Sequence, residues 1–467
     1  MGNPNKINYN PEIIPTTEVE PAPGFPEILK EISSTNITVY EVLSPTNQDA
    51  ARQEFTNNPD LITPHYEYGK LEPDRIATNL GAIAEIYTQL DTTPLTGPER
   101  PTLQVLTDDV AKKNAFVQSC IEYNAAATAE EKEKAAKAHR FAGEALYGTP
   151  DEATFYALLS GELAKINQEA LTPEDRKLHD SLISDIGEIK PIATEQFKPK
   201  PETVKRFSEM INLLFENFWP HIPEGKDEFT TKEACDITNE IIRDEIGEGA
   251  TEYRAVMSDT AKNVSTKHDD RTIIFPVNRS AGNFSRLGLK KILVHELGTH
   301  AYRALNYEDS DIDALSHELP GNEEIDEGIA KCCEQAIAGK YSDSGVEHYI
   351  NIGLANFKGK NFREIFEIQQ KLLYLQGCKP GESEEDKATR LHAKDSAIFN
   401  RTTRCLRGTG ELPNNKDLVY YNGANRVWRF IEEHIDDPDL LDQLFLSGKS
   451  DIFDEDQQRL IYETKVS

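Results

Sequence analysis

The sequence predicts a mainly helical α+β fold with one small sheet, and three observations carry that prediction. Apolar residues recur at helical spacing in one segment after another. Among them, the β-branched and aromatic run Thr272-Ile273-Ile274-Phe275-Pro276-Val277 reads as a strand. No internal repeat or low-complexity array breaks the pattern, and 467 residues are ample to bury a large core.

Taken in order, residues 1–26 carry Pro4, Pro11, Pro15, Pro21, Pro23 and Pro26 among polar residues and read as an extended or disordered lead-in. Residues 27–200 read as a helical N-terminal region, with helical periodicity over 83–90, 108–123, 126–146, 150–166 and 173–189. Lys198-Pro199-Lys200-Pro201 is a connector. Residues 201–435 then change texture: helices over 202–218 and 232–246, a short β-like stretch at 253–257, and the strand at 272–277. A turn-rich stretch at 278–283 leads into a strong helix from about Ser285. Behind the breaker Pro320-Gly321, Asn322 is placed to cap a helix running through Ala338. Further helices fill 345–378, 384–400 and 423–435. Residues 436–467 are acidic and weakly patterned and read as a peripheral helix or tail.

Composition narrows the function. The formal charge is −30, from 51 basic and 81 acidic residues, which argues against a nucleic-acid partner or an anionic membrane. The six cysteines include no C-x-x-C pair, which argues against a cysteine-built zinc site. Cys332 and Cys333 are adjacent in a helix, where their side chains diverge, so buried free thiols in a reducing compartment are expected. The start lacks a signal-peptide core and no apolar run approaches the roughly 20 residues that span a bilayer. A cytoplasmic chain is the expectation.

The segment Val294-His295-Glu296-Leu297-Gly298-Thr299-His300 bears the chemistry. Two neutral imidazoles and a carboxylate on one helical turn are what a metal-activated hydrolysis needs: ligands for zinc, and a base for its water. The usual spacing is i and i+4, whereas here it is i and i+5. On a regular helix five residues turn through about 140° beyond one full circle, too far apart for one ion. A π-bulge absorbs the extra residue, and Gly298-Thr299 is where we expect it. With eleven histidines in the chain, such a match by chance is rare.

A third ligand is required. Asn322-Glu323-Glu324-Ile325-Asp326-Glu327-Gly328-Ile329-Ala330 is an acid-rich helix start. Glu323 and Glu324 suit the helix dipole, whereas Glu327, one turn in and followed by small residues, is a ligand candidate. His317 is a competing one.

Here the chain resembles a known family. His295-Glu296-Leu297-Gly298-Thr299-His300 and Asp326-Glu327-Gly328-Ile329-Ala330 are similar to the zinc-helix and E-G-L-A motifs of the microtubule-associated tyrosine carboxypeptidases and their uncharacterised bacterial relatives. Leu146-Tyr147-Gly148-Thr149-Pro150, and Arg407-Gly408 followed by Lys416 to Gly423, echo two further family segments. Asn414-Asn415 stand where the family pattern has Phe-Thr, and Ile329 where it has Leu. The resemblance implies a small sheet beside a gluzincin-like zinc helix. It also implies one Zn2+ on His295, His300 and Glu327, Glu296 as general base, and removal of a C-terminal residue, tyrosine in the tubulin-directed members.

On the substrate side, Arg404 and Arg407 are the candidates for binding a free carboxylate through the guanidinium fork. Tyr420 is the candidate donor to the developing oxyanion. His348 and His392 read as structural. The expected function is a zinc metallocarboxypeptidase acting on a peptide or protein C-terminus. Endo- or aminopeptidase action shares the same chemistry, and iron(II) shares the donor set. The rival from another class is a non-catalytic binding or regulatory protein with a structural or relic metal site, against which the intact Glu296 speaks.

Overall fold

In a computed structural model of the chain, the described residues are 24–95, 99–190, 196–246, 253–261, 263–268, 270–277, 282–305 and 319–458. Helices dominate, as the periodicity requires, and the strands are few. Thr272–Pro276 is the middle strand of a three-stranded sheet, parallel to Arg254–Ser258 and antiparallel to the edge strand Ser265–Lys267. A separate two-stranded ribbon, Glu228–Phe229 with Phe284–Ser285, adds to the single sheet expected from the sequence. No helix among the described residues is long and apolar enough to cross a membrane.

Three helices position the site. The first, called here the histidine helix, begins at Arg286 behind the cap Ser285, whose Oγ accepts from Gly288 N at 3.0 Å. It is α-helical to Ile292, π-helical over Leu293–Ala301, and α-helical again over Tyr302–Leu305. The π winding is thus nine residues long rather than one bulge at Gly298-Thr299. The Thr299 hydroxyl supports it by donating to Val294 O, five residues back, at 2.9 Å. Gly298 fits it to the core: a Cβ there would lie 2.7 Å from the Phe215 ring.

The second, the carboxylate helix, is Asn322–Ala338, and the third, the closing helix, is Leu418–His434. They cross where Gly328 meets Gly423: a Cβ on Gly328 would come 2.5 Å from the Gly423 backbone, and one on Gly423 would come 2.0 Å from Glu324 O. No other side chain fits that approach, which sets Glu327 opposite the start of the closing helix. Asn322 does not cap the carboxylate helix. Gly321, at φ 83°, turns the chain after Pro320, and Asn322 is the first helical residue, fully buried. The cap position falls to Gly321, and the buried Asn322 amide makes no hydrogen bond to the helix start.

The core behind the site joins Phe207, Phe215, Phe275, Leu293, Leu297, Ile325, Ile329 and Trp428 with Leu440, Leu444 and Phe445. The last three belong to a short helix, Leu440–Phe445. Residues 436–458 are therefore not a peripheral tail, and each of those buried side chains contributes roughly 1.5–3 kcal/mol of burial. A second core links the N-terminal residues Phe55, Phe155 and Leu159 to Tyr349, Phe362, Phe366 and Phe399. Two smaller clusters hold the helices between Phe25 and Tyr147. All six cysteines are buried and free.

Candidate metal centre

His295, His300 and Glu327 each place one ligand atom within 4.8 Å of the others. The π winding makes this possible, since it returns His300 to the face of His295; their ring centroids are 4.8 Å apart with planes at 78°. Both imidazoles are held through Nδ1. His300 Nδ1 lies 2.7 Å from Asp326 Oδ2. His295 Nδ1 lies 2.6 Å from Glu334 Oε1, close but misaligned for a hydrogen bond. The Nε2 atoms are left for a ligand, that of His295 being 3.8 Å from Glu327 Oε2.

The residues fit a divalent cation on one further observation. Glu327 Oε2 is buried without a hydrogen-bond partner. Such an atom costs roughly 1–3 kcal/mol unless something satisfies it, and two imidazole nitrogens beside it form a donor set suited to zinc.

The electrostatics around the ligands are consistent with this. Burial disfavours the His300 imidazolium, but the Asp326 carboxylate outweighs it and raises the His300 pKa. Burial would raise Asp326, yet Lys449, His300 and Arg303 hold it well below the usual carboxylate range. Glu334, despite burial, is held at about 2 by His295 and Lys331, whose Nζ is 2.7 Å away.

Glu296 is buried on the same π turn. Thr266, in the edge strand, donates to it, with Oγ1 2.8 Å from Oε2 and 3.1 Å from its carbonyl oxygen. A cleft of about 2150 Å³ opens over these residues, larger than the 300–1,000 Å³ usual for a small-molecule site.

The facing wall carries Tyr420, Arg404, His348 and Lys416. Arg404 grips Asp417 with two bonds, Nε to Oδ2 at 2.7 Å and Nη2 to Oδ1 at 2.8 Å, and Nη2 also donates to Tyr420 Oη at 3.1 Å. Asp417 is buried; against the upward push of burial, Arg404 and His348 hold it well below the usual carboxylate range. Nearby Glu327, then burial, pushes the Tyr420 phenol up to about 12, so it stays a donor. Arg407 departs from expectation: it does not line the cleft, lies buried, and stacks 4.1 Å from the Tyr40 ring centroid. Tyr40, on which it stacks, lines the cleft in its place.

Of the residues singled out by sequence, His295, Glu296, His300, Glu327, Tyr420 and Arg404 share the cleft, and Arg407 does not. His317 lies outside the described residues. Glu323 and Glu324 pair with Lys416 and Arg426 and stand outside the ligand triad. His348, read as structural, lines the cleft with Nδ1 3.0 Å from Asp417 Oδ2, and His392 pairs with Asp395 at 2.8 Å. The two outlying motif segments meet, Gly148 O accepting from Asn415 Nδ2 at 3.0 Å. Sequence reasoning missed Thr266, Asp326, Glu334 and Lys449. Glu334, seven residues after Glu327 on the same helix face, had a readable signal; Thr266 and Lys449 had none, being brought in by tertiary contacts. Comparison with family models, with curated proteins and with solved structures finds no match to this chain.

Proposed function

We propose that the chain is a zinc-dependent peptidase that shortens a peptide or protein from its C-terminus. The observation that carries this reading is the meeting of His295, His300 and Glu327 within 4.8 Å, with Glu296 on the same turn of helix and an open cleft above. Zinc on this donor set supplies a Lewis acid and lowers the pKa of water to about 7. Glu296, steadied by Thr266, is the group to take the proton from the attacking water and hand it to the departing amine. Tyr420, kept protonated, donates to the oxygen that becomes negative at the scissile carbonyl. Arg404, fixed by Asp417, has no partner on Nη1 among the described residues, and that edge is offered to the substrate carboxylate. The resemblance to the tyrosine carboxypeptidases points the same way and makes tyrosine the first residue to try.

The test is a set of peptides with free and blocked ends, analysed by mass. Loss of single residues from free C-termini, abolished by Glu296→Gln, is the expected result. Internal cleavage of doubly blocked peptides would overturn the C-terminal assignment. No cleavage by zinc-loaded protein, across peptides ending in each residue type, would favour a binding protein whose metal site is structural.

A further inference from the structure

The two histidines are anchored differently. Glu334, which holds His295, is itself held by Lys331 from the same helix, beside the cleft. Asp326, which holds His300, is gripped from far away in sequence. Arg303, fully buried, bonds Oδ1, and Lys449 Nζ bonds Oδ2 at 2.5 Å, the oxygen that also accepts from His300. Lys449 is 2% exposed.

The backbone around Lys449 is built to deliver that amine. Ser447-Gly448-Lys449-Ser450 is a turn in which Gly448 takes φ 62° and Ser450 Oγ donates to Ser447 O at 2.7 Å. Lys449 O accepts from Leu319 N at 2.9 Å, just before the carboxylate helix. Arg303 Nη2 donates to Ser447 Oγ at 3.2 Å and Ser450 O at 3.4 Å, so the same guanidinium ties the turn to Asp326. The buried side chains of Leu440, Leu444 and Phe445 hold the segment on the core.

We infer that Lys449 is a positioning residue for the metal site: it clamps Asp326 so that the carboxylate fixes the His300 ring and leaves Nε2 to the cation. This rests on the metal reading proposed above. With Lys449 the oxygen facing His300 has an anchor of its own; without it, only Arg303 on Oδ1 and the His300 ring itself hold the carboxylate. Groups that orient a ligand histidine in this way are commonly worth 10–100-fold in metal affinity. A lysine buried for packing alone would be costly, since a methylene chain without the amine fills the same space.

The experiment measures zinc affinity by chelator competition and the visible spectrum of the cobalt(II)-loaded full chain, with melting temperature alongside. Lys449→Met is expected to weaken zinc binding by roughly 10–100-fold and to alter the cobalt spectrum. Lys449→Gln, which keeps a donor, is expected to fall between it and the unaltered chain, and decides the matter should the methionine variant not fold. Leu444→Ala loosens the same segment while keeping the amine. It is expected to lower the melting temperature and leave affinity and spectrum nearly unchanged.

Unchanged affinity and spectrum in both Lys449 variants would overturn the inference while the metal reading stood. Equal weakening by Leu444→Ala would also overturn it, assigning the effect to packing. Failure of the unaltered chain to bind zinc or cobalt would instead remove the metal reading itself.

Discussion

On the ligand wall of the cleft, Glu327 keeps one buried oxygen without a partner, and the imidazole Nε2 atoms face the same space. On the facing wall, Asp417 takes two bonds from Arg404 and a contact from His348, and Lys416 is spent on Glu323. One wall is complete only with something added, whereas the charges of the other are largely neutralised by one another, with Arg404 Nη1 left over. The difference teaches where binding energy is held in reserve. Disturbing the ligand wall should change chemistry first and stability second, whereas removing the buried charge of Asp417 from the facing wall should cost stability first.

The sharpest way to break that contrast is Glu296→Gln. Among the described residues Thr266 is the hydrogen-bond partner of its carboxylate, so folding and metal content should be kept while hydrolysis falls by roughly 10²–10⁴-fold, as loss of a general base does. Steady-state rates and a melting curve on the same sample check it. A large drop in melting temperature would mean that the ligand wall is structural too.

Asp417→Asn should act on the fold first, costing about 3–5 kcal/mol of stability because it leaves Arg404 without its counter-charge. The sign of the pH dependence follows. The folded pKa of Asp417 is depressed, so its contribution is present above the unfolded value of about 3.9 and is lost as pH falls through the folded value. Urea midpoints of the two proteins should differ fully at pH 6 and converge below pH ~4.

Gly328→Ala places a Cβ against the Gly423 backbone and should cost about 1–3 kcal/mol, or prevent the two helices from closing. Gly161→Ala is the contrast: in the helix Glu152–Ala164 nothing lies within 4 Å, so the melting temperature should hold or rise, by up to about 1 kcal/mol of helix propensity.

How much of this was legible in the sequence follows the same division. The ligand wall is local: His295, Glu296 and His300 fall on one turn and Glu327 one turn into the next helix, so spacing brings out the ligands, though not Asp326 and Glu334 behind them. The i and i+5 separation even carried the need for π winding, though not its length. Residues brought in by long-range contacts were harder to read, and single-residue reasoning failed both ways on them. Arg407 is near the motif in sequence yet buried against Tyr40 and outside the cleft lining, while Lys449 sits in a stretch whose acidity hid the buried face of Leu440, Leu444 and Phe445. Six residues, Leu440-Leu441-Asp442-Gln443-Leu444-Phe445, are too few to show a helical period, and only tertiary packing reveals which side is inside.

The most direct test is elemental analysis of the full chain, purified without chelator and reconstituted with zinc, beside His300→Ala and Glu327→Ala. One zinc per chain, lost in both folded variants, is the predicted result. No zinc in the unaltered chain, or zinc retained when either residue is removed, would contradict the assignment of His295, His300 and Glu327 as a metal centre.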